Sequence, residues 1–238
     1  MVTSLQRPEK QLHGYQNSLN EFVADWLRSY SEAVQAVDLF NPELTRSLSD
    51  EQKMFFAKAF YHVRGHCNDF FWFVANHGTY EMKQLILDNH AEEFGHQGKS
   101  HELLYYEFAK ALGVELTDEV VNETTHLPFV REYNRDHLRW LSARDADSLI
   151  AAFSAYEKLD NPDYSNLYEL GLSLGLEGWG LVFFDVHRHV EHYEATSHFI
   201  EQIWETNPEK VVEAFSFIGE HQLEMWQHLS DAVFSHKA

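Results

Sequence analysis

Three Asn-Pro pairs divide this 238-residue chain into segments, at Asn41-Pro42, Asn161-Pro162 and Asn207-Pro208. Asn is a favoured helix N-cap and Pro is favoured at the first helical position, so each pair predicts the start of a helix. Between the pairs, apolar residues recur with helical periods, and no stretch alternates convincingly in the manner of a β-strand. The sequence therefore predicts an all-α fold.

The helical periods predict seven helices in one domain. Their predicted ranges are 14–38, 50–78, 80–113 with a bend around Gly95–Gly98, 117–141, 146–159, 163–205 with a break or kink around Gly175–Gly180, and 208–235. Leu127-Pro128 predicts a further kink or break. No linker-like tract or internal repeat interrupts the chain. We therefore expect a single domain over residues 1–238, with 1–13 as a loose N-terminal arm.

The charge balance and the cysteine content limit the partners and the compartment. A formal net charge of -20 argues against nucleic-acid backbones or anionic membranes as the main partner. The single cysteine, Cys67, excludes an internal disulfide and fits a reducing cytoplasm. No signal-peptide pattern and no uninterrupted membrane-spanning run is visible. We expect a cytoplasmic protein that acts on a small molecule.

The most informative segment carries Asp185, His189 and His192 at spacings of four and three residues. On an α-helix these spacings stack the side chains on one face, and a carboxylate with two imidazoles suits a transition metal such as iron. The stripe continues through Phe199 and Ile203, which are apolar, so the triplet is expected to face a core.

A rival triplet on the same segment comprises His187, Glu191 and Glu194. Its spacing is equally good, but the stripe continues into His198 and Glu201, which predicts a solvated face. We favour the first triplet as metal ligands and keep the second as the alternative. Because the chain contains 16 histidines, such triplets also arise by accident, and a metal site needs ligands from other helices.

Two other segments offer such ligands. On a continuous helix Glu93 and His101 would lie ~80° apart, whereas Glu92 and His101 would lie ~180° apart, so Glu93 is the better candidate. The intervening glycines allow a distortion that brings the pair closer. Glu157 is the one acid in a small-and-aromatic face, where a buried charge is costly unless it is paired or metal-bound. The plain alternatives are an exposed acidic turn and a Glu157 that points to water.

Together these segments offer three carboxylates and three imidazoles, a set that suits two divalent irons with a bridging carboxylate and open positions for dioxygen. The six candidate ligands are Glu93, His101, Glu157, Asp185, His189 and His192.

A set of short motifs carries a family resemblance over roughly residues 55–226. In chain order they are Glu-Glu-x-Gly, Ser-His-x-Leu-Leu, Ala-Leu-Gly-Val, Ala-x-x-Ala-Tyr-Glu, a Phe-Phe-led ligand helix and Met225-Trp226. These motifs resemble those of the haem-oxygenase-like di-iron oxidases. The resemblance implies a seven-helix haem-oxygenase-like bundle, the fold that this family shares with haem oxygenase, thiaminase-type proteins and the cofactor-free pyrroloquinoline-quinone synthase.

In that family the acid of the first motif, its histidine, the acid of the second motif and a His-x3-Asp-x2-His helix bind the metals. Carried over, the resemblance implies Glu93 (or Glu92), His101 and Glu157 as ligands. The last helix departs from the pattern, because the favoured register has Asp, His, His. The alternative register, which begins at His187, replaces the final histidine by an acid.

The resemblance implies an O2-dependent non-haem di-iron enzyme with two Fe(II) ions, or Mn in their place. The substrate would be small and amino-acid- or fatty-acid-like. Its oxidation would be an N-oxygenation, desaturation, oxidative decarboxylation or C–C cleavage in specialised metabolism. A homodimer is compatible with this fold. The alternatives are a cofactor-free or thiaminase-type enzyme, a haem oxygenase, or a non-catalytic metal- or ligand-binding protein.

The second predicted helix carries further polar residues on a largely apolar segment. His62, His66 and Asp69 share one face and are interpreted as lining an active-site cavity and supporting the ligands, or as hydrogen-bonded core residues. Arg64 is interpreted as a clamp for a substrate carboxylate or as a member of an internal ion pair.

Overall fold

The computed structural model describes residues 18–95, 98–189 and 192–237, which form α-helices joined by short connections. The helices are α1 (Leu19–Gln35), α2 (Pro42–Thr45), α3 (Asp50–His77), α4 (Tyr80–Glu93), α5 (His101–Ala111), α6 (Thr117–Asn122), α7 (Pro128–Ser142), α8 (Ala146–Ser173), α9 (Trp179–His187), α10 (Tyr193–Thr206) and α11 (Pro208–Ser235). The described residues contain no β-strand, so the predicted all-α class is confirmed. The arm predicted at 1–13 lies outside the described residues.

Seven helices were expected, and the described part of the chain contains eleven, because several predicted helices are divided. The range 80–113 is split near Gly95, and 117–141 is split before Leu127-Pro128, where a kink or break was predicted. The range 163–205 is divided twice, between α8 and α9 and again between α9 and α10. The short helix α2 begins at Pro42, as its Asn-Pro pair predicts.

The helix start predicted at Asn161-Pro162 is wrong. Pro162 lies inside α8, which continues from Ala146 to Ser173. A proline inside a helix removes one backbone hydrogen bond. Packing offsets that cost, since α8 is buried on both sides of Pro162, at Leu159 and Leu167, and packs against α9, α10 and α11. Because α8 is continuous, residues before and after Asn161-Pro162 can share one face of a single helix.

A hydrogen-bonded carboxylate joins three helices in the core. Asp163 of α8 accepts hydrogen bonds from the Tyr30 hydroxyl at 2.8 Å, from Gln222 Nε2 at 2.9 Å and from Trp226 Nε1 at 2.9 Å. Burial raises the pKa of Asp163 to about 6, and the three donors oppose that shift. The side chain therefore connects α8 with α1 and α11.

No α-helix among the described residues is long and apolar enough to cross a lipid bilayer.

Replacing Asp163 by Ala should destabilise the fold strongly. The change leaves three buried donors without their acceptor, and we expect a loss of about 3–5 kcal/mol in the free energy of unfolding. Urea unfolding at neutral pH measures the loss, with Glu169→Ala on the exposed side of α8 as the control. A loss below about 1 kcal/mol would show that the Asp163 hydrogen bonds contribute little net stability.

Candidate metal centre

Three side chains from three helices meet at one point of the bundle. Glu93 ends α4, His101 begins α5 and His187 ends α9, and one potential ligand atom from each lies within 4.8 Å of the others. Glu93 Oε1 is 2.7 Å from His101 Nδ1 and 3.7 Å from His187 Nε2. The two histidines are buried and Glu93 is half-buried. We call these three residues the metal cluster.

The turn after α4 brings Glu93 and His101 together. Gly95 has φ +76°, and a Cβ at this position would lie 2.6 Å from the backbone carbonyl carbon of Lys99, so both the backbone conformation and the space favour glycine. Ser100 then caps α5, because its Oγ accepts a hydrogen bond from the Leu103 amide at 3.3 Å. The predicted approach of Glu93 to His101 through a glycine distortion is confirmed.

The imidazole of His187 has a fixed orientation. Its Nδ1 lies 2.7 Å from the carbonyl oxygen of Phe183. Since a carbonyl oxygen only accepts, Nδ1 carries a proton, and in the neutral ring the lone pair is on Nε2, which faces Glu93. The ring of Tyr164 stacks on the imidazole with a centroid separation of 4.2 Å and an interplanar angle of 13°. Metal-binding histidines are commonly oriented by such outer contacts.

The charge of the cluster is concentrated on Glu93. Burial opposes ionisation, but the hydrogen bond with His101 and the nearby His187 imidazole hold the pKa of Glu93 well below its usual range. For His187, burial lowers the pKa, while the contact with Glu93 opposes that shift. A charged carboxylate beside a neutral imidazole is the protonation state that a divalent cation requires.

Glu157 is buried close to the cluster without a complete set of hydrogen bonds. Only 2% of the residue is exposed, and its Oε2 has no hydrogen-bond partner among the described residues. Burial, followed by repulsion from Asp160 and Glu93, raises the pKa of Glu157 well above its usual value, and a side-chain contact with Asn89 opposes that shift. The alternative in which Glu157 points to water is wrong. An unpaired oxygen in this position fits a cation ligand, because burial without a partner is costly.

The sequence favoured Asp185, His189 and His192 as a core-facing row, and that orientation is wrong for the first two. Because α9 ends at His187, no continuous helix carries the row. Asp185 pairs with Arg188 at 2.7 Å, and the His189 side chain is 68% exposed. His192 Nε2 lies 3.7 Å from Glu92 Oε2, outside the metal cluster. The ligand role of the row stays a prediction.

The alternative register contributes His187 to the cluster. Glu194 is exposed at the start of α10, and Glu191 lies outside the described residues. Glu92, the alternative to Glu93, has a side chain that is 60% exposed. The geometry therefore favours Glu93 over Glu92 and His187 over His189.

The polar residues of α3 are engaged in separate contacts. His62 Nε2 is 2.8 Å from Glu119 Oε1, and His66 Nε2 is 3.2 Å from His137 Nδ1. This matches their interpretation as hydrogen-bonded core histidines, whereas Asp69 is exposed. Arg64 Nη1 donates to Glu102 Oε2 at 2.6 Å, which matches its interpretation as an internal ion pair.

Two residues near the cluster were not selected from the sequence. Asp160 and Tyr164 lie three and seven positions after Glu157, a spacing that places all three on one face of a helix. This spacing is visible in the sequence, but the helix boundary predicted at Asn161-Pro162 placed Tyr164 and Glu157 on different helices. The continuous helix α8 restores this face.

A family model described as "iron-containing redox enzyme" matches residues 54–216 of the chain. The chain belongs to this family. The match includes the whole metal cluster and Glu157, and it confirms the resemblance inferred from the motifs.

Solved structures establish the haem-oxygenase-like fold of this family member. A CADD-like protein of unknown function from Nostoc punctiforme aligns with a TM-score of 0.69 and 17% identity, over 92% of this chain and 98% of that one. A domain of unknown function with a heme oxygenase-like fold from Shewanella denitrificans aligns with a TM-score of 0.68 and 14% identity, over 92% and 93%. No curated protein matches the chain.

Replacing Glu157 by Gln should stabilise the metal-free protein at alkaline pH. Because the pKa of Glu157 is raised in the folded state, its contribution to stability is present below the unfolded value of about 4.3 and is lost as pH rises through the raised value. The free-energy gap between Glu157→Gln and the wild type should therefore widen from about pH 5 to about pH 8.

Urea unfolding of the metal-free proteins measures this gap across the pH range. Glu169→Gln, an exposed change on the same helix, is the matched control. A Glu157→Gln gap that does not vary with pH would mean that the buried carboxyl does not disfavour its charged form.

Proposed function

We propose that this protein is an O2-dependent non-haem di-iron oxidase that acts on a small organic substrate. The observation that carries the proposal is the metal cluster of Glu93, His101 and His187 beside the unpartnered oxygen of Glu157. Membership of an iron-containing redox family supports iron as the metal.

The residues present fit a divalent transition metal. Carboxylate oxygens and imidazole nitrogens suit iron or manganese, and the described residues place no thiolate in the cluster that would favour zinc. Glu93, His101 and His187 would hold the first ion, and Glu157 would contribute to a second. Bound ferrous iron supplies electrons for the reduction of dioxygen and open positions for its binding.

The protein's own contribution is to hold the ligands in place and to exclude water. His187 is restrained by the Phe183 carbonyl and by the Tyr164 ring. Tyr105 and Phe183 are fully buried and lie edge to face at 5.0 Å, which makes a dry wall next to the cluster. Preorganised ligands in a site shielded from water are the general means by which a protein directs metal chemistry.

A buried cation near the cluster offsets part of the carboxylate charge. The guanidinium carbon of Arg64 lies 5.4 Å from the centre of the Tyr105 ring and 5.5 Å from that of Phe183. Its electrostatic neighbours include Glu102, its ion-pair partner, and Glu93. Arg64 would thus stabilise Glu93 as an anion.

The proposed reactions are N-oxygenation, desaturation, oxidative decarboxylation or C–C cleavage of an amino-acid- or fatty-acid-like substrate. They belong to specialised metabolism in the cytoplasm, with a homodimer as the proposed assembly. A thiolate-dependent enzyme of the same fold is disfavoured, since burial raises the pKa of Cys67 to about 12. Cys67 is the one cysteine of the chain.

Replacing His187 by Ala should weaken Fe(II) binding at least about tenfold, because it removes a ligand whose orientation the fold has fixed. His189→Ala is the matched control: two residues away, it changes an exposed imidazole and should leave the affinity unchanged. Anaerobic Fe(II) titration with a chromogenic competitor measures both. The assignment would be wrong if His189→Ala lost iron and His187→Ala kept it.

Oxygen dependence is tested on the wild-type protein loaded with Fe(II). Exposure to O2 should oxidise the bound iron at least about tenfold faster than in His187→Ala at equal total iron. Equal rates in the two proteins, with normal iron binding by the wild type, would indicate a metal-binding protein without oxidase chemistry. The absence of iron binding by the wild type would favour a cofactor-free enzyme.

A further inference from the structure

One face of α8 lies along the metal cluster. Glu157, Asp160 and Tyr164 occupy positions i, i+3 and i+7 of this helix, so their side chains share a face. The Tyr164 ring stacks on His187 at 4.2 Å, and Glu157 at the other end of the face is repelled by Glu93. Asp160 therefore lies between two residues that both adjoin the cluster.

A hydrogen bond fixes the same turn of α8 against the end of α9. Asn161 Nδ2 donates to the backbone carbonyl of Arg188 at 3.2 Å. Asn161 follows Asp160 in sequence, and Arg188 follows His187. The bond therefore holds the Asp160 turn beside the helix end that presents the His187 imidazole.

We propose that Asp160 is a metal ligand that, with Glu157, holds the second ion of the centre. This inference rests on the proposed function and names a ligand that the motif resemblance does not supply. Among the described residues, α9 contributes His187 to the metal cluster. A carboxylate three residues after Glu157 would add a ligand from the neighbouring helix α8.

The burial of the two acids supports this assignment. Asp160 is half-buried and follows the buried Glu157 by one helical turn. Two acidic side chains one turn apart at the edge of a core are costly to bury unless a cation lies between them. The Glu157 Oε2 without a partner is the atom that such a cation would contact.

The charge balance also favours a third carboxylate. Two divalent ions bring four positive charges, and of the described residues Glu93 and Glu157 would supply two negative charges. Asp160 would raise the number from the described residues to three without adding an exposed group. Buried ions require such compensation, since an uncompensated charge in a site of low polarity is expensive.

The test is a titration of the full-length chain with Mn(II), followed by electron paramagnetic resonance. The wild type should bind two ions, seen as an exchange-coupled pair, whereas Asp160→Asn should bind one uncoupled ion, with the second weakened at least about tenfold. Glu169→Gln, an exposed acid on the same helix, should bind two. Asp160→Glu keeps a carboxylate and should restore the coupled pair.

Thermal unfolding of the metal-free proteins separates a ligand role from a structural one. Asp160→Asn should melt at about the same temperature as the wild type, because the amide has nearly the same size and keeps a hydrogen-bonding oxygen. A residue that merely supports the fold would lower the melting temperature when replaced.

The outcomes distinguish the inference from the function on which it rests. Two coupled ions in both the wild type and Asp160→Asn would overturn the role of Asp160 and leave the di-iron proposal intact. One ion or none in the wild type would overturn both. A loss of the second ion combined with a lower melting temperature would also overturn the ligand assignment, since it would reflect disrupted packing.

Discussion

The core and the metal site of this protein depend on how the fold compensates the charge of its buried carboxylates. Two acids on helix α8, Glu157 and Asp163, are almost fully buried and lie six positions apart. Asp163 accepts three hydrogen bonds from donors on α1 and α11. Glu157 has an oxygen without a partner and lies near other carboxylates. The fold thus supplies donors for one buried acid, whereas the proposed second metal ion would compensate the other.

The difference between Asp163 and Glu157 links the stability of the fold to the proposed metal site. The Asp163 hydrogen bonds fix α8 within the bundle, and α8 then presents Glu157 and Tyr164 to the ends of α4 and α9. The glycine turn at Gly95 and the end of α9 bring Glu93, His101 and His187 to the same place. A buried acid without a complete set of partners lowers the stability of the metal-free protein, and the proposed metal binding would recover that loss through linkage.

Much of this organisation was predictable from local sequence. The all-α class, the start of α3 at its capping box and the start of α11 at Asn207-Pro208 all follow from short-range chemistry. Glu93 and His101 were paired correctly because only one glycine turn separates them. The small and aromatic residues around Glu157 made it a candidate ligand, but they left open whether its side chain is buried or points to water. These features depend on interactions within one or two turns.

The remaining features depend on contacts between helices that are distant in sequence. Pro162 stays helical because α8 is packed on several sides, and no local signal encodes that packing. The end of α9 is fixed partly by the hydrogen bond between Asn161 and the Arg188 carbonyl. The end of α9 determines which histidine faces the metal cluster. The prediction of Asp185 and His189 as core-facing residues assumed a helix that continues past this end, and α9 does not.

The most direct test of the metal centre is a crystal structure of the iron-loaded protein with anomalous diffraction measured on both sides of the iron absorption edge. The account predicts two iron peaks, one among Glu93, His101 and His187 and a second next to Glu157. Peaks at Asp185 and His189, or no peak within reach of His187, would contradict it.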